Sequence, residues 1–167
     1  FKATDEQVAG FRNSILEYAS TSGKSLEDIT ASVEAAVGTG VEWSQSLDLI
    51  AEAEKLATAT RADLKGTTEV LVSTMNAYGM KTSDVGKISD IFFQTIAEGN
   101  VKMTDLAQYL ANITPISSAA GVSLEEVGAA VATLTAGGMQ PSTAIDALKS
   151  ALSNIIKPSE QATKLAA

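Results

Sequence analysis

Glycines and helix-capping residues cut this sequence into short pieces, and within each piece the apolar residues return every three or four positions. That spacing lines one face of a helix, whereas a half-buried strand needs strict alternation, which no stretch here sustains for long. The chain is therefore expected to be all-α, a compact domain of about eight short helices spanning residues 1–167.

Over residues 5–20 the stripe is Val8, Phe11, Ile15 and Tyr18, with Gly23 as its stop. Ser25 opens a second helix with Asp28 in the capping-box position, Leu26, Ile29, Val33 and Val37 inward, and Gly38 and Gly40 at its end. A third starts near Ser44 with Leu47, Ile50 and Ala57. A fourth follows Thr60 with Leu64, Leu71, Met75 and Tyr78, until Gly79. Asp84 begins a fifth, carrying Val85, Ile88, Phe92 and Ile96. Thr104 begins a sixth, carrying Leu106, Leu110, Ile113 and Ile116, and Pro115 should bend it near Ala111 because its ring meets the carbonyl four residues back. Ser123 and Glu126 form the capping box of a seventh, with Leu124, Val127, Val131 and Leu134 inward and Gly137 and Gly138 as stops. The eighth runs from Ser142 with Ile145, Leu148, Leu152 and Ile155 inward, and Pro158 ends it.

Two of these segments repeat. Gly23, Ser25, Leu26 and Glu27 recur 98 positions later as Gly121, Ser123, Leu124 and Glu125, and without a gap Ala31, Val33, Gly40, Ser44, Asp48 and Ala53 meet Ala129, Val131, Gly138, Ser142, Asp146 and Ala151. Caps and glycine stops at one offset indicate a repeated helical hairpin, residues 23–57 with 121–155.

The chain has no Cys and no His, which removes the commonest general base, the best nucleophile and the commonest metal ligands. No catalytic residue, metal site or cofactor is expected. A net charge of −8, with no two basic residues adjacent, argues against direct nucleic-acid binding. The chain opens at Phe1 without a signal sequence, which suggests a piece of a longer polypeptide.

The remaining motifs read as helix punctuation. Gly23-Lys24-Ser25 has the ending of a phosphate-binding loop, but Tyr18 stands where the first glycine belongs and the preceding segment is helical. The carboxylate pairs Asp5-Glu6, Glu27-Asp28 and Glu125-Glu126 all fall in first turns, where the helix dipole favours them without any catalysis. Met75, Met80, Met103 and Met139 are gap-filling core residues. Trp43, the single tryptophan, either staples the turn before the third helix or meets a partner. Two uncharged stretches, 106–124 and 127–145, are long enough to cross a bilayer as helix, but their polar and turn-forming residues favour a buried core hairpin.

Gly121-Val122-Ser123-Leu124-Glu125-Glu126-Val127, followed by Ala129, Leu134, Gly138, Met139, Ser142, Ala144, Leu148, Leu152 and Lys157-Pro158-Ser159, is similar to the core region of bacteriophage tail tape measure proteins. Upstream, Leu56-Ala57-Thr58-Ala59-Thr60 with Asp63-Leu64, Met75-Asn76-Ala77-Tyr78-Gly79, Asp90 before Ile91-Phe92, and Ala119-Ala120 resemble the same pattern in order. The resemblance covers about residues 20–165 and departs at Pro141 and Ile145, where such sequences often carry Gly. It implies a structural component of a phage tail or tail-like particle, acting in tail assembly and tail-length determination. The location implied is the virion tail, and the host bacterial cytoplasm during assembly. The partners implied are other tail proteins, namely tube, chaperone or baseplate and tip components, together with further copies of the chain. A membrane-active helical module used at genome delivery is the alternative.

Overall fold

The computed structural model of the protein describes residues 4–157. Among these residues there are eight α-helices and no strand: α1 (Asp5–Thr21), α2 (Leu26–Gly38), α3 (Trp43–Thr60), α4 (Leu64–Tyr78), α5 (Val85–Glu98), α6 (Met103–Ala119), α7 (Leu124–Ala136) and α8 (Pro141–Ile156), with a single 3₁₀ turn at Thr82–Asp84. The expected helices are all present.

Successive helices alternate between two layers. The first holds α1, α3, α5 and α7 side by side, and the second holds α2, α4, α6 and α8. Each helix rests on the next two along the chain, one across the layers and one within its own. This is the arrangement of stacked helix pairs, in which every amphipathic stripe is covered by near neighbours in sequence. The core runs between the layers through Ile29, Leu49, Ile50, Leu71, Ile88, Phe92, Leu106, Ile113, Val131 and Ile145.

A small residue permits a close approach between α5 and α7. A Cβ added at Gly128 would lie 2.6 Å from Thr95 Oγ1 and 3.2 Å from Ile91 Cγ2. The Thr95 hydroxyl donates to the Ile91 carbonyl at 2.8 Å, so it is not free to turn away without losing that bond. Glycine here is a packing requirement between two helices.

Residues 23–57 and 121–155 have matching helix lengths and turns at their first helix. α2 and α7 each have 13 residues. The turns after them close in the same way: Gly40 (φ 100°) and Gly138 (φ 94°) take left-handed backbone that L side chains rarely adopt. The next amide in each reaches back at 3.1 Å, Val41 to the Ala36 carbonyl and Met139 to the Leu134 carbonyl. Their surroundings differ, because α2 lies in the second layer against α4 whereas α7 lies in the first against α5.

Several local expectations are corrected. α1 has no buried residue, and Val8 is 47% exposed, because this helix stands at one end of the stack and is covered from one side only. Gly23 is not its stop; α1 ends at Thr21 and Ser22 leaves in extended backbone. Ser25 caps α2, but the Asp28 carboxylate takes the Ser25 hydroxyl at 2.7 Å rather than its amide. Trp43 and Pro141 are the first residues of α3 and α8, each one position earlier than Ser44 and Ser142. Proline suits that place, where an amide would have no helical partner. α6 begins at Met103, because the Asp105 carboxylate accepts the Lys102 amide at 2.9 Å and sets the start ahead of Thr104. It continues through Pro115 to Ala119. Leu26 and Ile155, placed inward from their spacing, are 45% and 67% exposed, since each lies at an end of the stack.

Candidate functional site

Among the described residues, those singled out from the sequence motif lie at a helix cap, at turns and on packed faces. Ser123 Oγ accepts the Glu126 amide at 3.3 Å, while the Glu126 carboxylate accepts both the Ser123 amide and its hydroxyl at 2.8 Å. Those bonds from Ser123, backbone first, hold the Glu126 carboxyl below the usual carboxylate range. Gly121, at φ 73°, turns the chain into this cap. Leu124 and Ala144 are buried, and Ser142 and Leu148 are half-buried. Gly138 closes the turn into α8, and Pro158 lies outside the described residues. Beside the cap, Glu125 accepts from Lys87 of α5 at 2.6 Å, a bond that lowers the carboxyl's pKa and raises the amine's.

The other acidic pairs, Asp5-Glu6 and Glu27-Asp28, occupy the first turns of α1 and α2. Among the described residues no three His, Cys, Asp or Glu side chains are grouped as a metal ion would require. No helix there is long and apolar enough to cross a membrane. The uncharged stretches 106–124 and 127–145 are each interrupted by a turn, between α6 and α7 and between α7 and α8.

A polar latch that the sequence did not disclose is built around Glu54 of α3. Its carboxylate accepts the Tyr18 hydroxyl at 2.6 Å, the Ser22 hydroxyl at 2.7 Å and the Gly23 amide at 3.0 Å. Partial burial pushes the Glu54 carboxyl up. The bonds from Tyr18, Ser22 and Gly23, with the Lys24 charge, outweigh it and bring the group below 4.5. Tyr18 moves the other way, raised first by burial and then by its bond to Glu54. The latch also answers the phosphate-loop reading. The Gly23 amide that an anion would need is already taken by a carboxylate, and the Lys24 amide donates to Ser22 Oγ at 3.0 Å.

On another side of α1 the surface is apolar. The Phe11 ring stacks on Trp43 with centroids 5.1 Å apart and planes 19° from parallel. Trp43 thus meets α1 at the start of α3, and it also borders a groove. That groove, about 430 Å³, is walled by Val8, Phe11, Ile15 and Leu16 of α1, Leu26 of α2 and Trp43, with Arg12 and Thr30 as its polar members.

Comparison with known proteins places this sequence in a known group. The family described as phage-related minor tail protein matches residues 12–167, nearly the whole chain. The chain belongs to that family. Among its relatives, the tape measure protein of Pneumococcus phage Dp-1 is 24% identical over 162 residues, covering 97% of this chain and 14% of that protein. The probable tape measure protein of Clostridium phage phiCD119 is 27% identical over 133 residues, covering 77% of this chain and 14% of that protein. This phage tail protein segment therefore spans about a seventh of the length of the curated relatives it matches. No solved structure matches it.

Proposed function

We propose that this segment is a folded docking or initiation module of a tape measure polypeptide, acting in tail assembly, while the measuring length lies mainly elsewhere in that polypeptide. The observation that carries this reading is the stack of short helices. The longest described helix, α3, has 18 residues and so extends only about 27 Å, whereas a continuous helix of the whole chain would reach roughly 250 Å. A stack bound by a buried core resists extension and presents fixed surfaces, which suits contact with tube, chaperone or baseplate and tip components and with further copies of itself. The net charge of −8 disfavours adhesion to DNA. Assembly would take place in the host bacterial cytoplasm, with the product resident in the virion tail.

The test is an in-frame deletion of this segment from the parent gene, with particles viewed by electron microscopy. Failed or tailless assembly is the expected result. Well-formed tails, shorter by about 1.5 Å for each deleted residue, would overturn the proposal and make the segment part of the ruler.

A further inference from the structure

The stacking rule that governs α1 to α8 is incomplete at one end. Each helix from α3 onward receives two earlier helices, one from its own layer and one from across, because every helix rests on the next two. By the same rule a helix seated before α1 would lie on α1 and α2 together. That place is where the apolar groove runs, walled by α1 and α2 with Trp43 at its edge. Val8, Leu16 and Leu26, three of the large apolar side chains left exposed among the described residues, are gathered there. On α1 the groove residues Val8, Phe11, Ile15 and Leu16 recur at helical spacing, so the open face has the ridges that accept another helix.

We propose that this groove is the seat of an amphipathic helix supplied by the same polypeptide, packed on α1 and α2 as the next member of the second layer. Its inward face is apolar and carries one acidic side chain. The acid is specified by Arg12, the groove's one charged residue, which takes part in none of the ion pairs among the described residues. The source is specified by area and length. From Val8 to Leu16 the α1 wall is about 12 Å long, and beneath a helix about 10 Å wide that gives a footprint of only ~100–200 Å² per side. A free-standing complex needs roughly 1,200 Å² in total, so a separate partner would hold poorly here, whereas a tethered helix acts at high effective concentration. The curated relatives have ample chain for it, since the matched region is 14% of each. The inference rests on the stacking rule and stands apart from the docking role proposed above.

The test places a photo-crosslinking phenylalanine analogue at Leu16 or, separately, at Val8 in the full-length parent polypeptide. Both positions are exposed here, so the core is left intact. Light and isotope-labelled copies are mixed before irradiation, and the joined peptides are mapped by mass spectrometry. The expected result is one peptide from the same copy, helical in pattern and bearing Asp or Glu among its apolar positions. Arg12→Glu should lower its yield by roughly fivefold, and reversing the mapped acid to Arg should restore it. Crosslinks to a second copy, to another tail protein, or to no peptide would each overturn the proposal. So would an Arg12→Glu variant that crosslinks at the original yield. Tail shortening in the deletion experiment would leave this result unaffected, so the two proposals can fail separately.

Discussion

Gly128→Ala tests the packing argument through its sign. In an exposed helical position, replacing Gly by Ala removes backbone freedom from the unfolded chain and stabilises by about 0.5–1 kcal/mol. At Gly128 the new methyl would stand 2.6 Å from Thr95 Oγ1, well inside contact distance, and 3.2 Å from Ile91 Cγ2. Relief requires either separating α5 from α7 or rotating Thr95, which breaks its 2.8 Å bond to the Ile91 carbonyl. Overpacking of this kind costs about 1–3 kcal/mol, and a lost buried hydrogen bond adds roughly 1 kcal/mol. Set against the helical gain, the net expectation is a destabilisation of about 1–3.5 kcal/mol, or a fall of roughly 2–14 °C in the melting midpoint for a chain of this size. The control is Gly10→Ala in α1, where an added Cβ meets nothing within 4 Å; it should stabilise. Urea denaturation followed by far-ultraviolet circular dichroism measures both. Removing the obstructing oxygen as well, in Thr95→Ala with Gly128→Ala, should recover part of the loss beyond additivity. If Gly128→Ala proves as stabilising as Gly10→Ala, the close α5–α7 approach is refuted.

Two further outcomes follow from the polar contacts. Because partial burial is outweighed by the bonds from Tyr18, Ser22 and Gly23, which hold the Glu54 carboxyl below its ordinary value, its contribution is present above the ordinary carboxylate range and is lost as pH falls through the lower folded pKa. Amide exchange in α1 should therefore accelerate selectively as pH falls through and below the ordinary carboxylate range, and Glu54→Gln should flatten that dependence while sparing exchange in α4; equal acceleration in both helices would contradict the latch. Ser123→Ala should cost on the order of 1 kcal/mol by removing the hydroxyl that accepts the Glu126 amide at 3.3 Å, and an unchanged urea midpoint would deny it a capping role.

The features legible in the sequence were those written within four residues of each other. Ser123 with Glu126, Gly79 after Tyr78, and the stripe Val85, Ile88 and Phe92 each carry their structural meaning locally, so caps, stops and buried faces could be placed to within a residue or two. α6 was misplaced at its start because Asp105 serves a backbone amide, and the Lys102 it serves gives no sign of capping. The Glu54 latch was invisible, since Tyr18, Ser22 and Gly23 lie 31–36 positions away and no local pattern announces that meeting. Val8 and Ile155 show the other limit. Helical spacing identifies an apolar face but does not say whether a neighbour covers it, and at the two ends of the stack none among the described helices does. For the candidate surface, Trp43 was singled out as the lone tryptophan, but the groove beside it needed three helices brought together.

The rule that each helix rests chiefly on the next two has a kinetic consequence. Contacts between near neighbours close short loops, so little chain entropy is lost before each new packing gain, and chains of this kind reach their native state quickly. During synthesis a helix leaving the ribosome finds the two it packs against already made. Neither layer has to wait for the far end of the polypeptide, so the order of translation is also a workable order of folding.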